Sequence, residues 1–169
     1  MLADFLAPGL DLVFVGYNPG ECSARLGHYY AGSNNLFWPL LHDSGLVADP
    51  LTFEDDHRVL QYGIGLTDLV KRSSRSSADL RPQETRDGAE EVRRKLLAYQ
   101  PRLACFNGKG IFERVFGRPC QPGAQPECIG RTATFVVPST SARNGRLRRP
   151  QKLAYFQELR RCLEQLKAA

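Results

Sequence analysis

An α/β protein, built as a three-layer sandwich with a mostly parallel central sheet of about four strands and helices on both faces, is what this sequence predicts. Three observations carry that prediction. Short apolar runs at Leu12–Val15, Gly63–Leu66, Leu103–Phe106 and Thr132–Val137 each stop at a polar or glycine/proline-bearing turn. Between them lie longer segments whose apolar residues recur at helical spacing, and strands alternating with helices build parallel sheets covered on both sides. With 169 residues, 42% of them hydrophobic, the chain reads as a single domain over 1–169 with a substantial core.

Met1 to Leu10 is a short lead-in to a first strand over roughly Asp11–Gly16, where consecutive apolar residues end abruptly at glycine. Glu21 to Ser33 is polar and glycine-bearing and reads as a loop that lines a pocket. Asn34 or Asn35 caps a helix running to about Ser44, with Leu36, Phe37, Leu40 and Leu41 inward and Gly45 closing it. Pro39 falls inside that helix and costs a hydrogen bond if Asn35 is the cap. A second helix spans roughly Asp55–Gln61, and the apolar segment at Gly63–Leu66 ends in Thr67-Asp68. The Arg-Ser-Ser repeats between Arg72 and Glu84 read as a mobile surface linker, with contact to a phosphate backbone as the other reading.

Thr85 or Asp87 begins a helix to Tyr99 in which Ala89, Val92, Leu96 and Tyr99 share a face, and Pro101 stops it. After the third apolar run, Asn107-Gly108-Lys109-Gly110 turns into a helix to about Phe116; it lacks the G-x-x-x-x-G-K-[ST] spacing of a phosphate loop. Gly117–Gly130 is loop or hairpin. Thr132–Val137 is the last strand, and Pro150–Lys167 a final helix with Leu153, Phe156, Leu159, Leu163 and Leu166 inward.

Lysine and arginine outnumber aspartate and glutamate by 23 to 18, a net charge of +5 that suits a polyanionic partner. No apolar stretch approaches the roughly 18 residues of a membrane span, and the N-terminus lacks a secretory pattern, so a cytoplasmic protein is expected. Five cysteines at irregular spacing, with no Cys-x-x-Cys pair, indicate neither a disulfide framework nor a zinc ribbon. Cys22, Cys105 and Cys162 read as small core hydrophobes, while Cys120 and Cys128 flank a Pro/Gly-rich loop and could approach each other. No metal or cofactor is expected.

The turn Gly16-Tyr17-Asn18-Pro19-Gly20 holds an asparagine at a strand's carboxyl end, where open α/β sheets bind ligands. Gly27-His28-Tyr29-Tyr30, Asn34-Asn35-Leu36-Phe37-Trp38, Tyr62 to Thr67, Phe106-Asn107-Gly108-Lys109 and Val137-Pro138-Ser139-Thr140-Ser141-Ala142-Arg143 follow it. Together these resemble the mismatch-specific uracil-DNA and thymine-DNA glycosylase family across nearly the whole chain. Its first motif is Gly-Ile-Asn-Pro-Gly, and its second is a Pro-Ser-rich loop ending in arginine.

The resemblance implies a monofunctional DNA glycosylase with a uracil-DNA glycosylase-like fold. It would excise uracil, and by extension thymine and modified pyrimidines, from G:U or G:T mismatches in double-stranded DNA. It would work as a monomer associated with the bacterial nucleoid. A catalytically silent mismatch-DNA or nucleotide-binding module is the alternative. Asn18 would position the attacking water; Tyr30 would stack on the flipped base, unless both tyrosines are core. Backbone groups of Gly16, Tyr17, Pro19 and Gly20 would line the base pocket.

Asp68 stands where relatives carry lysine or asparagine; it reads either as a base or cation stabiliser, or as a helix cap or partner of Lys71 or Arg72. Ser23 matches a position near a thymine methyl, serine in the uracil-preferring branch, whereas Gly27–Tyr30 and the second motif look more like the thymine branch. Arg143 matches the family's inserted arginine, with Ala142 beside it. Ser139 and Ser141 would bond phosphate, and Arg146 and Lys109 would join the DNA contact. Arg146, Arg148, Arg149 and Lys152 add four basic residues after Arg143; five neutralised phosphates would give a salt slope of roughly −4 to −5. Some other uracil-DNA glycosylases hold an iron–sulfur cluster, for which these cysteines offer little support.

Overall fold

The computed structural model describes residues 1–169. Its sheet has five strands in the order β2-β1-β3-β5-β4, one more than expected. β1 (Leu12–Gly16), β2 (Ile64–Asp68), β3 (Leu103–Asn107) and β5 (Thr132–Val137) run parallel, and β4 (Gly123–Ile129) pairs antiparallel with β5 at the edge. β4 is the segment whose sequence reads as loop or hairpin. Its small and polar residues hide the apolar pattern of a strand, and Pro126 sits in a register shift between Gln125 and Cys128, where a strand tolerates the missing donor. Gly130 and Arg131 close the hairpin, with positive φ only at Gly130, as a II′ turn requires.

Alternation across β1 sends Leu12 and Phe14 to one face and Val13 and Val15 to the other, which splits the core in two. The first half packs under α2 (Phe37–Asp43) and α5 (Arg149–Ala168), and the second under α3 (Pro82–Tyr99) and α4 (Lys109–Phe116). The three expected layers are present. Inside α5, Phe156, Leu159 and Leu163 are buried and Leu153 and Leu166 half-buried, as the period predicts.

Several boundaries differ. Glu21–Leu26 is a short helix, α1, inside the stretch expected to be loop. α2 begins at Phe37, which places Pro39 in its first turn, where amides have no intrahelical partner; the expected hydrogen-bond cost does not arise. Residues Phe53–Tyr62 wind as a 3₁₀ helix. α3 begins at Pro82, earlier than Thr85, because proline at the first helical position is preorganised and Glu84 bonds back to the Arg81 amide. The lead-in is also more than a tail. Phe5 exchanges two backbone hydrogen bonds with Leu66, which covers the exposed edge of β2.

Candidate active site

Parallel register brings four strand ends to one rim: Gly16 lies opposite Asp68, and Asn107 opposite Val137. Each strand is followed there by one of the polar turns, and between them opens a cleft of about 1320 Å³. Small-molecule pockets occupy roughly 300–1,000 Å³, so this one suits a segment of a polymer.

Asn18 leaves β1 on its proline-stiffened turn. Its Nδ2 donates to the Arg72 carbonyl at 2.9 Å and to Ser74 Oγ at 2.8 Å. With both amide hydrogens engaged by protein, the group left for a ligand or water is the acceptor Oδ1. Ser74 donates onward to the Ser76 carbonyl at 2.6 Å, and the Arg72 guanidinium is held by Glu84 at 2.6 and 2.9 Å. The Arg72–Glu84 stretch is therefore no linker. It braces Asn18, and Ser74, Arg75, Ser76 and Ser77 form a wall of the cleft.

Asp68 ends β2 and is only 5% exposed, with Oδ2 buried and lacking any hydrogen-bond partner. Both structural explanations for it fail. It lies in a strand and caps no helix; Lys71 bonds Asp4 and the Tyr29 hydroxyl, and Arg72 bonds Glu84. Burial pushes its carboxyl up to about 7; Lys71 and Lys95 pull it down and Asp4 pushes it further up. An acid of that strength can hold or release a proton near neutrality.

Gly16 is dictated by this neighbour. A Cβ there would sit 2.5 Å from Asp68 Oδ1 and 2.9 Å from the Tyr30 hydroxyl. Gly16→Ala is expected to displace both side chains and to destabilise the fold by about 1–3 kcal/mol, measured by urea denaturation. Gly20 carries no such restriction, since a Cβ there would meet nothing within 4 Å.

The adjacent tyrosines take different places. Tyr29 is core, 2% exposed, with its hydroxyl on the Ala3 carbonyl at 2.9 Å. Tyr30 lines the cleft, stacked on Phe37 at 4.1 Å and 23°, with φ +54°, a left-handed conformation rare outside glycine. Neighbouring residues enforce that strain. Asp56 holds the Tyr29 amide at 3.0 Å and His28 Nδ1 at 3.1 Å, Trp38 Nε1 bonds the Tyr29 carbonyl at 3.0 Å, and Ser23 Oγ accepts the Ala31 amide at 3.0 Å. Ser23 thus spends its hydroxyl on the turn while its residue borders the cleft. The Tyr30 hydroxyl is buried without a partner; burial first, then the Asp68 charge, pushes its pKa well above the ordinary phenol value, so it stays protonated.

After β5 the chain forms an arginine loop, residues 138–148. Asn107 anchors its base reciprocally, donating to Thr140 Oγ1 and accepting the Thr140 amide, each at 3.0 Å. Ser139, Ser141, Ala142, Arg143 and Arg146 line the cleft, as does Lys109 at the start of α4, and both arginines and Lys109 are exposed and unpaired. The basic run after Arg143 is smaller than its sequence implies. Arg149 pairs with Asp43 at 2.8 Å, and Lys152 is 2% exposed. Arg75 supplies a cation from the opposite wall.

Sequence reasoning missed Ser74, Asn107 and Thr140 as site residues. The signal for Asn107 was its place between a strand and Gly108, whose φ of +130° only glycine adopts readily. Cys120 is buried, Cys128 exposed, and all five thiols are free. His, Cys, Asp and Glu side chains form no group of three or more suited to a metal ion. No helix is long and apolar enough to cross a membrane.

The three-layer α/β fold carries a polar, cation-rimmed cleft across its parallel strand ends, where proteins of this class bind their ligands. The chain belongs to the uracil DNA glycosylase superfamily, whose family model matches residues 3–167. Its fold is similar to the solution NMR structure of a protein from Methanosarcina acetivorans that carries a provisional uracil DNA glycosylase designation. The TM-score is 0.64 and the identity 22%, over 96% of each chain.

Proposed function

We propose that this protein excises uracil from G:U mismatches in double-stranded DNA by hydrolysis, with thymine and modified pyrimidines as further substrates, and leaves an abasic site. The observation that carries the reading is the convergence of a pinned amide, Asn18, and a buried, unpartnered carboxyl, Asp68, in one cleft rimmed by the Arg143 loop.

Breaking an N-glycosidic bond builds positive charge on the sugar and negative charge on the base. A carboxylate at Asp68 stabilises the sugar cation or takes the proton of the attacking water, a contribution of roughly 10²–10⁴ for a positioned general base. Asn18 Oδ1 orients that water. Tyr30 supplies a stacking surface worth about 1–3 kcal/mol for an extruded base. Arg143 fills the gap that the base leaves, and extrusion costs least where pairing is already poor, which favours mismatches.

Single-turnover assays on duplexes with a central G:U, G:T or A:U pair, read as abasic sites, test this function. Excision that is fastest at G:U supports it. No excision of any base would leave the mismatch-binding module. Four unpaired cations on the cleft, Arg75, Lys109, Arg143 and Arg146, predict a salt slope for duplex binding of about −3 to −4. A fluorescence-anisotropy titration between 50 and 200 mM salt, a range set by about that in which such slopes are read, measures it.

A further inference from the structure

Lys152 stands outside every role described so far. It lies on the first turn of α5 and is 2% exposed. Two things disfavour a cation there. Burial removes its hydration and lowers its pKa, and the N-terminal end of a helix is electropositive. One interaction offsets them: Nζ donates to the Asn144 carbonyl at 3.0 Å.

That bond holds a particular place in the arginine loop. The base is fixed by Asn107–Thr140 and by the Leu36 amide on the Thr140 carbonyl at 3.0 Å. Beyond Thr140, the loop is stitched to itself through short-range contacts: Ser141 amide to Ser139 Oγ, Arg143 amide to Ser141 Oγ, Asn144 amide to the Ser141 carbonyl, and Asn144 Nδ2 to the Ser139 carbonyl. From residue 141 to 147, the hydrogen bond from Lys152 is the one that comes from the body of the protein. It lands one residue past Arg143.

We propose that Lys152 is a positioning residue for Arg143, its buried ammonium holding the loop in the shape that enters the duplex. The proposal rests on the glycosylase reading above and adds to it a residue that touches neither base nor phosphate. Lys152 would act on opening of the pair, with no share in bond cleavage or in neutralising the DNA backbone.

Lys152→Met tests it, since methionine keeps the apolar stem and removes the donor. Lys152 is desolvated and pairs with no carboxylate, so removing its charge relieves a burial cost that offsets the lost hydrogen bond, and the variant is expected to fold with a melting temperature close to the parent's. Amide hydrogen exchange of residues 141–147, measured without DNA, should accelerate roughly tenfold, the equivalent of losing one hydrogen bond to a charged group. The ratio of excision at G:U to excision of the same uracil opposite an abasic site, where no pair must be broken, should fall by a similar factor. The salt slope should stay unchanged.

Unaltered exchange together with an unaltered ratio would overturn the proposal. A salt slope shallower by about 0.9 would also overturn it, because Lys152 would then be a phosphate contact. Equal loss on both substrates would place its effect elsewhere and overturn it too. If the parent protein excised nothing, the glycosylase reading would fall, and the exchange rates would still decide whether Lys152 holds the loop.

Discussion

Excision of uracil from a G:U duplex is expected to rise with pH to a plateau above about 7, and Asp68→Asn is expected to abolish that rise and lower the plateau by roughly 10²–10⁴. The expectation follows from burial. Asp68 is 5% exposed with one oxygen unpartnered, so its carboxyl is pushed up to about 7, and only the ionised form can accept a proton or oppose a sugar cation. The same residue carries a stability cost with the opposite pH dependence. Its folded-state pKa lies above the ordinary carboxylate value of 3.8, so between the two the folded protein holds a proton that the unfolded chain has released. Stability from this group is complete below the lower value and is lost as pH rises through about 7, to a ceiling of about 4 kcal/mol. Asp68→Asn should therefore raise the melting temperature at pH 8, a value about one unit above that pKa, while excision collapses. Full activity with a flat pH profile in the variant would make Asp68 structural.

Asn18→Ala should lower single-turnover excision by roughly 10²–10³, the range seen when one preorganised group is removed from other active sites. Its amide hydrogens are committed to the Arg72 carbonyl and Ser74 Oγ, so the side chain cannot turn freely and Oδ1 presents a fixed acceptor. A neutral amide orients water and removes no proton, so the pH profile of Asn18→Ala should keep the shape set by Asp68. If both residues act on one water, the double variant should lose less than the product of the single losses. Multiplicative losses would assign them separate steps. Retained excision in Asn18→Ala alongside loss in Asp68→Asn would make the carboxylate the main catalyst.

Much of the fold is legible because local rules carry it. The runs at Leu12, Leu103 and Thr132 are short, apolar and glycine- or proline-bounded, and they fold as buried parallel strands. β4 was legible only as one of two readings, loop or hairpin, of which the hairpin is the one formed, since an edge strand with small, polar and proline residues owes its pairing to a neighbour and carries no period of its own. The cleft was legible where a motif sits on one turn, as at Asn18 and Arg143. It was opaque where a role depends on a partner distant in sequence. Ser74 reaches Asn18 across 56 residues, and Asn107 reaches Thr140 across 33. Lys152 reads as part of a basic run, and nothing in its neighbours announces that it is buried.

The sequence by itself determined the alternation of strands and helices, the two turns that face one sheet edge, and the excess of positive charge. Periodicity, turn chemistry and composition are properties of neighbouring residues, and they survive without a fold. Tertiary structure alone decided that Asp68 is an unpaired acid, that Tyr29 is tied into the core through its hydroxyl while Tyr30 is held in a left-handed turn against Phe37, that the serine-rich stretch braces Asn18, and that Lys152 bonds the arginine loop. Burial and hydrogen-bond partnership set the charge state and orientation of a side chain, and both depend on which distant segments the sheet brings together.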